Sequence, residues 1–174
     1  MIRRAVANDI PEIERVMRAS MSALGASCYD AEQVASAVRF IAVVDRQLID
    51  DGTYFVIEEE RQVIACGGWS ACAKLFSGPE SQDRAEGWLN PAIDPARIRA
   101  MFVDPAYARR GLGRQILDAA EADAARAGFR TFELMATLPG VPLYRACGYE
   151  EIERTEIELP DGARLDCIRM QRQS

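Results

Sequence analysis

Residues 101–114 read Met-Phe-Val-Asp-Pro-Ala-Tyr-Ala-Arg-Arg-Gly-Leu-Gly-Arg and hold the densest chemistry in the chain. Met101, Phe102 and Val103 end an apolar strand, Arg109 and Arg110 occupy a short loop, and Gly111, Leu112, Gly113 and Arg114 open a helix. This is the composition of an anion cradle. Glycines let a ligand approach the backbone, and the first turn of a helix offers unpaired N–H groups at the positive end of its dipole. Arginine adds charge and grips phosphate bidentately. The same residues also read as a glycine-eased helix start with solvated arginines. A dinucleotide fingerprint is a third reading, with Glu133 lying about 20 residues on, where a ribose-binding acid would stand. Against it, Ile116 occupies the third glycine position and residues 105–110 intervene where that fold turns tightly. The chain also has too few βα units for a doubly wound sheet.

The rest of the inventory is sparse. The 174 residues include no histidine, and Lys74 is the only lysine. Ser-His and Cys-His nucleophile pairs, an HExxH zinc helix and an imidazole base are all absent. Leu75 follows Lys74, so there is no Walker A loop. Carboxylate, tyrosine, thiol, arginine and backbone N–H remain. A net charge of −6 argues against a nucleic-acid partner, whose footprint would be basic. The five cysteines, Cys28, Cys66, Cys72, Cys147 and Cys167, form no CxxC pair and lack a histidine for a mixed zinc site. They read as free, mostly buried thiols, and no metal is expected. No apolar run approaches the ~18 residues a membrane helix needs, and the charged start lacks a signal-peptide core. The expectation is a cytoplasmic protein with no membrane partner.

The elements that must position these residues follow from pattern. Residues 2–6 form a strand; a helix follows, with Asn8 and Asp9 as caps, Pro11 in its first turn and Glu12 three residues after Asp9. A second helix starts near Asp30 with Gln33 three residues on, and its stripe of Val34, Val38, Ile41, Val44 and Leu48 predicts nearly four turns. Residues 53–58 and 63–69 make a hairpin, residues 73–95 a long loop, and residues 98–103 a strand. A helix with Leu112, Ile116, Leu117, Ala120 and Ala124 on one face, a strand at 129–136, a short helix at 142–147 and a hairpin at 151–159 and 164–170 complete the order. This predicts one α+β domain over residues 1–174, with about seven strands in a mixed sheet (β-α-α-β-β-β-α-β-α-β-β) and helices on both faces.

These segments resemble the GCN5-related N-acetyltransferase (GNAT) family. Residues 108–113, Ala-Arg-Arg-Gly-Leu-Gly, are similar to its Arg/Gln-x-x-Gly-x-Gly/Ala pyrophosphate motif, with Ala108 departing at the first position and Arg109 substituting in charge. Residues 132–137 and 143–149, Leu-Tyr-Arg-Ala-Cys-Gly-Tyr, resemble the family's fifth strand and its FYxxxGF helix. The resemblance implies acetyl-CoA as cosubstrate. Met101, Phe102 and Val103 would meet the pantetheine arm, and Arg109, Arg110, Gly111, Leu112, Gly113 and Arg114 would hold the pyrophosphate. Tyr144, near the sulfur, would serve as the acid. For the base, Glu133, Glu86 or a water relay are all open, because residues 97–103 hold no carboxylate. Cys147 as an acetyl-carrying nucleophile lacks an accompanying base. The acceptor, a small-molecule or peptide amine, would meet residues 20–29, 69–89 and 155–165, with Trp69 and Trp88 as candidate walls. Direct transfer to a primary amine in a ternary complex is the expectation. A non-catalytic acyl-CoA sensor or scaffold is the alternative, and a homodimer is one assembly open to either.

Overall fold

The computed structural model describes residues 1–73 and 87–174; Lys74 and Glu86 lie outside the described residues. In chain order the elements are β1 (Ile2–Arg4), α1 (Ile10–Gly25), α2 (Ala31–Phe40), α3 (Arg46–Asp50), β2 (Tyr54–Glu59), β3 (Gln62–Ser70), β4 (Ala96–Val103), α4 (Leu112–Arg126), β5 (Thr131–Thr137), α5 (Val141–Ala146), β6 (Glu150–Glu158) and β7 (Arg164–Gln173). The seven strands form one sheet in the order β1-β2-β3-β4-β5-β7-β6. Every neighbouring pair is antiparallel except β4 with β5.

Each face of the sheet buries its own apolar cluster. Ile13, Val16 and Met17 of α1, Ala37 of α2 and Leu48 of α3 pack on Tyr54, Val56, Cys66 and Leu165. Across the sheet, Leu112, Ile116, Leu117, Ala120 and Ala124 of α4, with Val141 and Tyr144 of α5, cover Ile64, Ile98, Phe132 and Leu134. The predicted α4 face is the buried one, as a 3.6-residue period requires.

Two local expectations are revised. The apolar stripe from Val34 to Leu48 is not one helix: α2 ends at Phe40, and Asp45 caps α3 by accepting from Gln47 N at 3.0 Å. The short Asp45 side chain competes for backbone donors and stops the period. At α1, Asp9 does not cap the helix. Its carboxylate turns back to Val6 N at 2.8 Å and is gripped by both terminal nitrogens of Arg3, which hold it below the usual carboxylate range. Asp30 and Gln33 do form the reciprocal capping box. The β2–β3 turn places Glu60 and Arg61 at φ 49° and 67°, the left-handed pair that matches strand twist in a two-residue hairpin.

Candidate active site

The site begins where the sheet forks. β4 and β5 share only two register pairs, Ala96 with Phe132 and Arg97 with Glu133, and then separate. β4 continues to Val103 beside β3 alone. Its register with β3 shifts there: Cys66 opposes Phe102 and Gly68 opposes Arg99, so Ala100 and Met101 together face Gly67. This bulge puts Ala100 at φ 53°, left-handed for a residue with a side chain. The two glycines opposite make room for it, since a Cβ on Gly67 would press on Met101 and come within 2.7 Å of Ile116.

Tyr54 pins the bulge. It pairs with Gly68, where a Cβ would lie 2.9 Å from the Tyr54 ring. Without that Cβ the fully buried ring reaches over β3, and its hydroxyl donates to the Ala100 carbonyl at 2.7 Å. Burial raises the Tyr54 hydroxyl far above its ordinary value, so it stays a donor, and burial pushes the adjoining Cys66 thiol up to about 12. Nothing about Tyr54 by itself marked it in the sequence. The paired glycines inside a strand were the available signal, because glycine there favours a bulge or a close approach.

Beyond Val103, Asp104 closes the strand by accepting from Ala106 N at 3.0 Å and pairing with Arg15 at 2.7 Å. Arg109 (φ 63°) and Gly111 (φ 78°) bend the loop so that α4 starts without a side-chain cap or an acidic first turn. The leading N–H groups of α4 are therefore left for a ligand. Gly113 lies against Leu143 of α5, whose Cδ2 is 2.8 Å from where a Cβ would sit. Arg114 donates to the Ala146 carbonyl at 2.8 Å. Arg109 makes no ion pair among the described residues. Arg110 turns away: its guanidinium is paired with Glu59 at 2.9 and 3.1 Å and lies over the Tyr107 ring. Of the three arginines expected to hold phosphate, Arg109 and Arg114 line the cavity beside this loop, Arg114 also bonded to the Ala146 carbonyl, and Arg110 is spent on the β2–β3 turn.

A cavity of about 540 Å³ opens from this loop into the fork. It is lined by Met101, Phe102 and Val103 of β4, by Ala108, Arg109 and residues 111–114, and by Leu143 and Tyr144 of α5. Ser20, Met21, Leu24 and Gly25 of α1 form its far rim. Tyr144 is 8% exposed, packs edge-on against Tyr149 at 5.8 Å, and its hydroxyl makes no hydrogen bond among the described residues. Burial raises its pKa, so the phenol keeps its proton. The wall of α5 is braced from outside the site. Tyr149 N donates to the Tyr144 carbonyl, and the Tyr149 hydroxyl donates to Glu121 at 2.7 Å, which also pairs with Arg172.

Glu133 is not brought into this set. Its carboxylate is buried at the fork and paired with both Arg97 and Arg169 (2.7 Å to the latter), and Glu133 does not line this cavity. Both guanidiniums instead hold this carboxylate in a buried ion-pair network at the fork. Neither Trp69 nor Trp88 lines this cavity. Trp69 packs on Phe129 at 5.6 Å on the α4 face and donates to Asp123 at 3.0 Å, and Trp88 is 74% exposed. Cys147 is buried beside α5, and burial raises its thiol. Among the described residues no cluster of His, Cys, Asp and Glu could hold a metal, and no helix is long and apolar enough to cross a membrane.

A seven-stranded sheet forked at its one parallel pair, with a bulge beside the fork and an uncapped, arginine-flanked helix start, defines an acyltransferase-type fold. The chain belongs to the GNAT family: the model of the "Acetyltransferase (GNAT) domain" matches residues 50–151. No curated protein matches it significantly. Among solved structures it is similar to a GCN5-related N-acetyltransferase from Rhodopseudomonas palustris (18% identity, TM-score 0.74, covering 100% of this chain and 95% of that one). It is also similar to the PaiA N-acetyltransferase from Thermoplasma acidophilum, solved in complex with coenzyme A (14%, 0.68, covering 100% and 98%). A third is the ribosomal-protein-alanine N-acetyltransferase from Brucella melitensis (17%, 0.64, covering 100% and 99%). At these identities the likeness is one of fold.

Proposed function

We propose that the chain transfers an acyl group from acetyl-CoA to the amine of a small-molecule or peptide acceptor, directly and in a ternary complex. The observation that carries this is the continuity of one cavity from the open N–H groups of α4, past the unbonded edge of β4, to the free Tyr144 hydroxyl. The pyrophosphate would rest on residues 111–114 and Arg109, where the leading N–H groups of α4 have no side-chain cap and Arg109 makes no ion pair among the described residues. The pantetheine amides would meet the β4 backbone at Met101, Phe102 and Val103, whose β5 side is unpaired, much as an added strand would.

When bound, acetyl-CoA supplies an acyl group activated as a thioester. The chain's own part is orientation and proton handling. A β4 N–H beside the bulge, fixed by Tyr54, is preorganised for negative charge on the carbonyl oxygen. Tyr144, held protonated by burial, gives its proton to the departing sulfur. Among the described residues no Asp or Glu lines this cavity, which favours water as the group that takes the proton of the attacking amine, with Glu86 outside the described residues. A raised Tyr144 pKa also fixes a sign: activity rises with pH as the amine deprotonates and does not fall again below pH ~10 through Tyr144, whose ordinary value is about 10.

The test is thiol release from acetyl-CoA against a panel of amines, amino acids, polyamines and peptides. Release with any acceptor supports the transferase, and Tyr144→Phe then lowers turnover by about 100-fold while CoA affinity barely changes. Tight CoA binding with no release across the panel marks a sensor instead, and no CoA binding overturns both.

A further inference from the structure

A second, smaller cavity of about 80 Å³ lies deeper in the fork, between β4 and β5. It shares Met21, Met101, Phe102, Thr137 and Tyr144 with the larger slot, so the two meet where the sulfur end of a bound thioester would stand. Its remaining wall is mostly apolar: Ile98, Leu134, Met135, Ile157 and Cys167, with Ile41 at the rim. Ile98, Leu134 and Cys167 are 2%, 2% and 1% exposed. The one charged side chain in the wall among the described residues, Arg99, is ion-paired with Asp45 at 2.9 Å.

We propose that this cavity is an acyl-chain pocket, and that the protein takes thioesters of three- and four-carbon saturated acids in preference to acetyl. The inference rests on the acyl-CoA reading of the larger slot. A chain lying along β4 reaches the small cavity by continuing straight past Phe102. An acceptor amine, by contrast, is held by hydrogen bonds, which suits the α1 rim with its Ser20 hydroxyl better than a wall of mostly apolar side chains. The space is roughly half that of a 150 Å³ cavity that admits benzene, enough for about two methylene groups beyond the acetyl methyl. An ammonium or a second carboxylate finds no unpaired opposite charge there. The transfer itself balances as for acetyl: the C–S bond breaks, a C–N bond forms, the sulfur takes the Tyr144 proton, and the proton lost by the amine goes to water and returns to Tyr144.

Calorimetric binding of CoA, acetyl-CoA, propionyl-CoA, butyryl-CoA, octanoyl-CoA and succinyl-CoA to the full chain tests this without knowledge of the acceptor. Affinity is expected to tighten about fourfold per methylene from acetyl to butyryl, then to drop at octanoyl when the pocket is full. Met135→Trp, on the less buried side of the wall, should erase the gain from acetyl to butyryl and leave acetyl-CoA binding as it was. Should that variant not fold, Cys167→Met fills the same space from β7. Equal or weaker binding of butyryl-CoA, tightest binding of succinyl-CoA, or a gain that survives filling each overturns the proposal. In those cases acetyl-CoA still binds and the transferase reading stands, whereas loss of CoA and acetyl-CoA binding removes both.

Discussion

Up to Arg97, β4 is bonded on both sides; beyond it, β4 keeps β3 and parts from β5. The paired half is closed by side-chain charge, with Glu133 taken up by Arg97 and Arg169. The parted half is shaped by backbone: the Ala100 bulge, the paired glycines opposite, and the Tyr54 hydroxyl on the Ala100 carbonyl. One strand therefore uses its charged residues to stay shut at one end and its peptide groups to stay available at the other. A buried carboxylate near a cleft is thus no guide to catalysis until its partners are known. Here Glu133 sits at the paired end, taken up by Arg97 and Arg169.

The largest expected effect comes from breaking the closed end. Glu133→Gln leaves two guanidiniums facing each other at the fork and should cost about 3–5 kcal/mol, read as a fall in Tm of about 10 °C. Turnover of the folded protein should stay within about twofold, since Glu133 lines neither cavity. A loss of turnover at unchanged Tm would falsify this division and restore Glu133 as the base. At the open end, Tyr54→Phe strands the Ala100 carbonyl, a cost of about 1–3 kcal/mol. The released bulge should lower kcat about tenfold with little change in KM for acyl-CoA. A purely structural tyrosine would move Tm and leave kcat alone. The smallest effect separates two neighbours in the cradle. Arg109→Ala should weaken CoA binding about fivefold at low salt and less at high salt. Arg110→Ala, whose charge is already spent on Glu59, should change CoA affinity by less than twofold. Equal effects from the two would mean that the loop rearranges on binding.

The order of strands and helices was legible because each element carries its own period and punctuation: Asp30 with Gln33 at one helix start, Gly111 and Gly113 at another, Gly148 after the short α5. The anion cradle was legible for the same reason, since loop and helix start are contiguous in sequence. The break between α2 and α3 was not, because an apolar stripe continues across Asp45 and only the cap and the Arg99 pairing interrupt it. The α4-facing place of Trp69 was not legible, because aromatic size does not say which sheet face a side chain takes.

What the sequence determined by itself is local. It holds the alternation and helical periods that build a forked α+β sheet, the glycine-arginine loop at a helix start, and a catalytic inventory without histidine. Tertiary structure decided everything that depends on partners distant along the chain. It sent Arg110 to Glu59 and left Arg109 free, locked Glu133 between Arg97 and Arg169, brought Tyr54 over Gly68 to Ala100, and set Tyr144 unbonded at the end of the slot. The physical reason is that a side chain's charge, proton and availability are set by what is packed against it, and in a sheet those neighbours come from other strands.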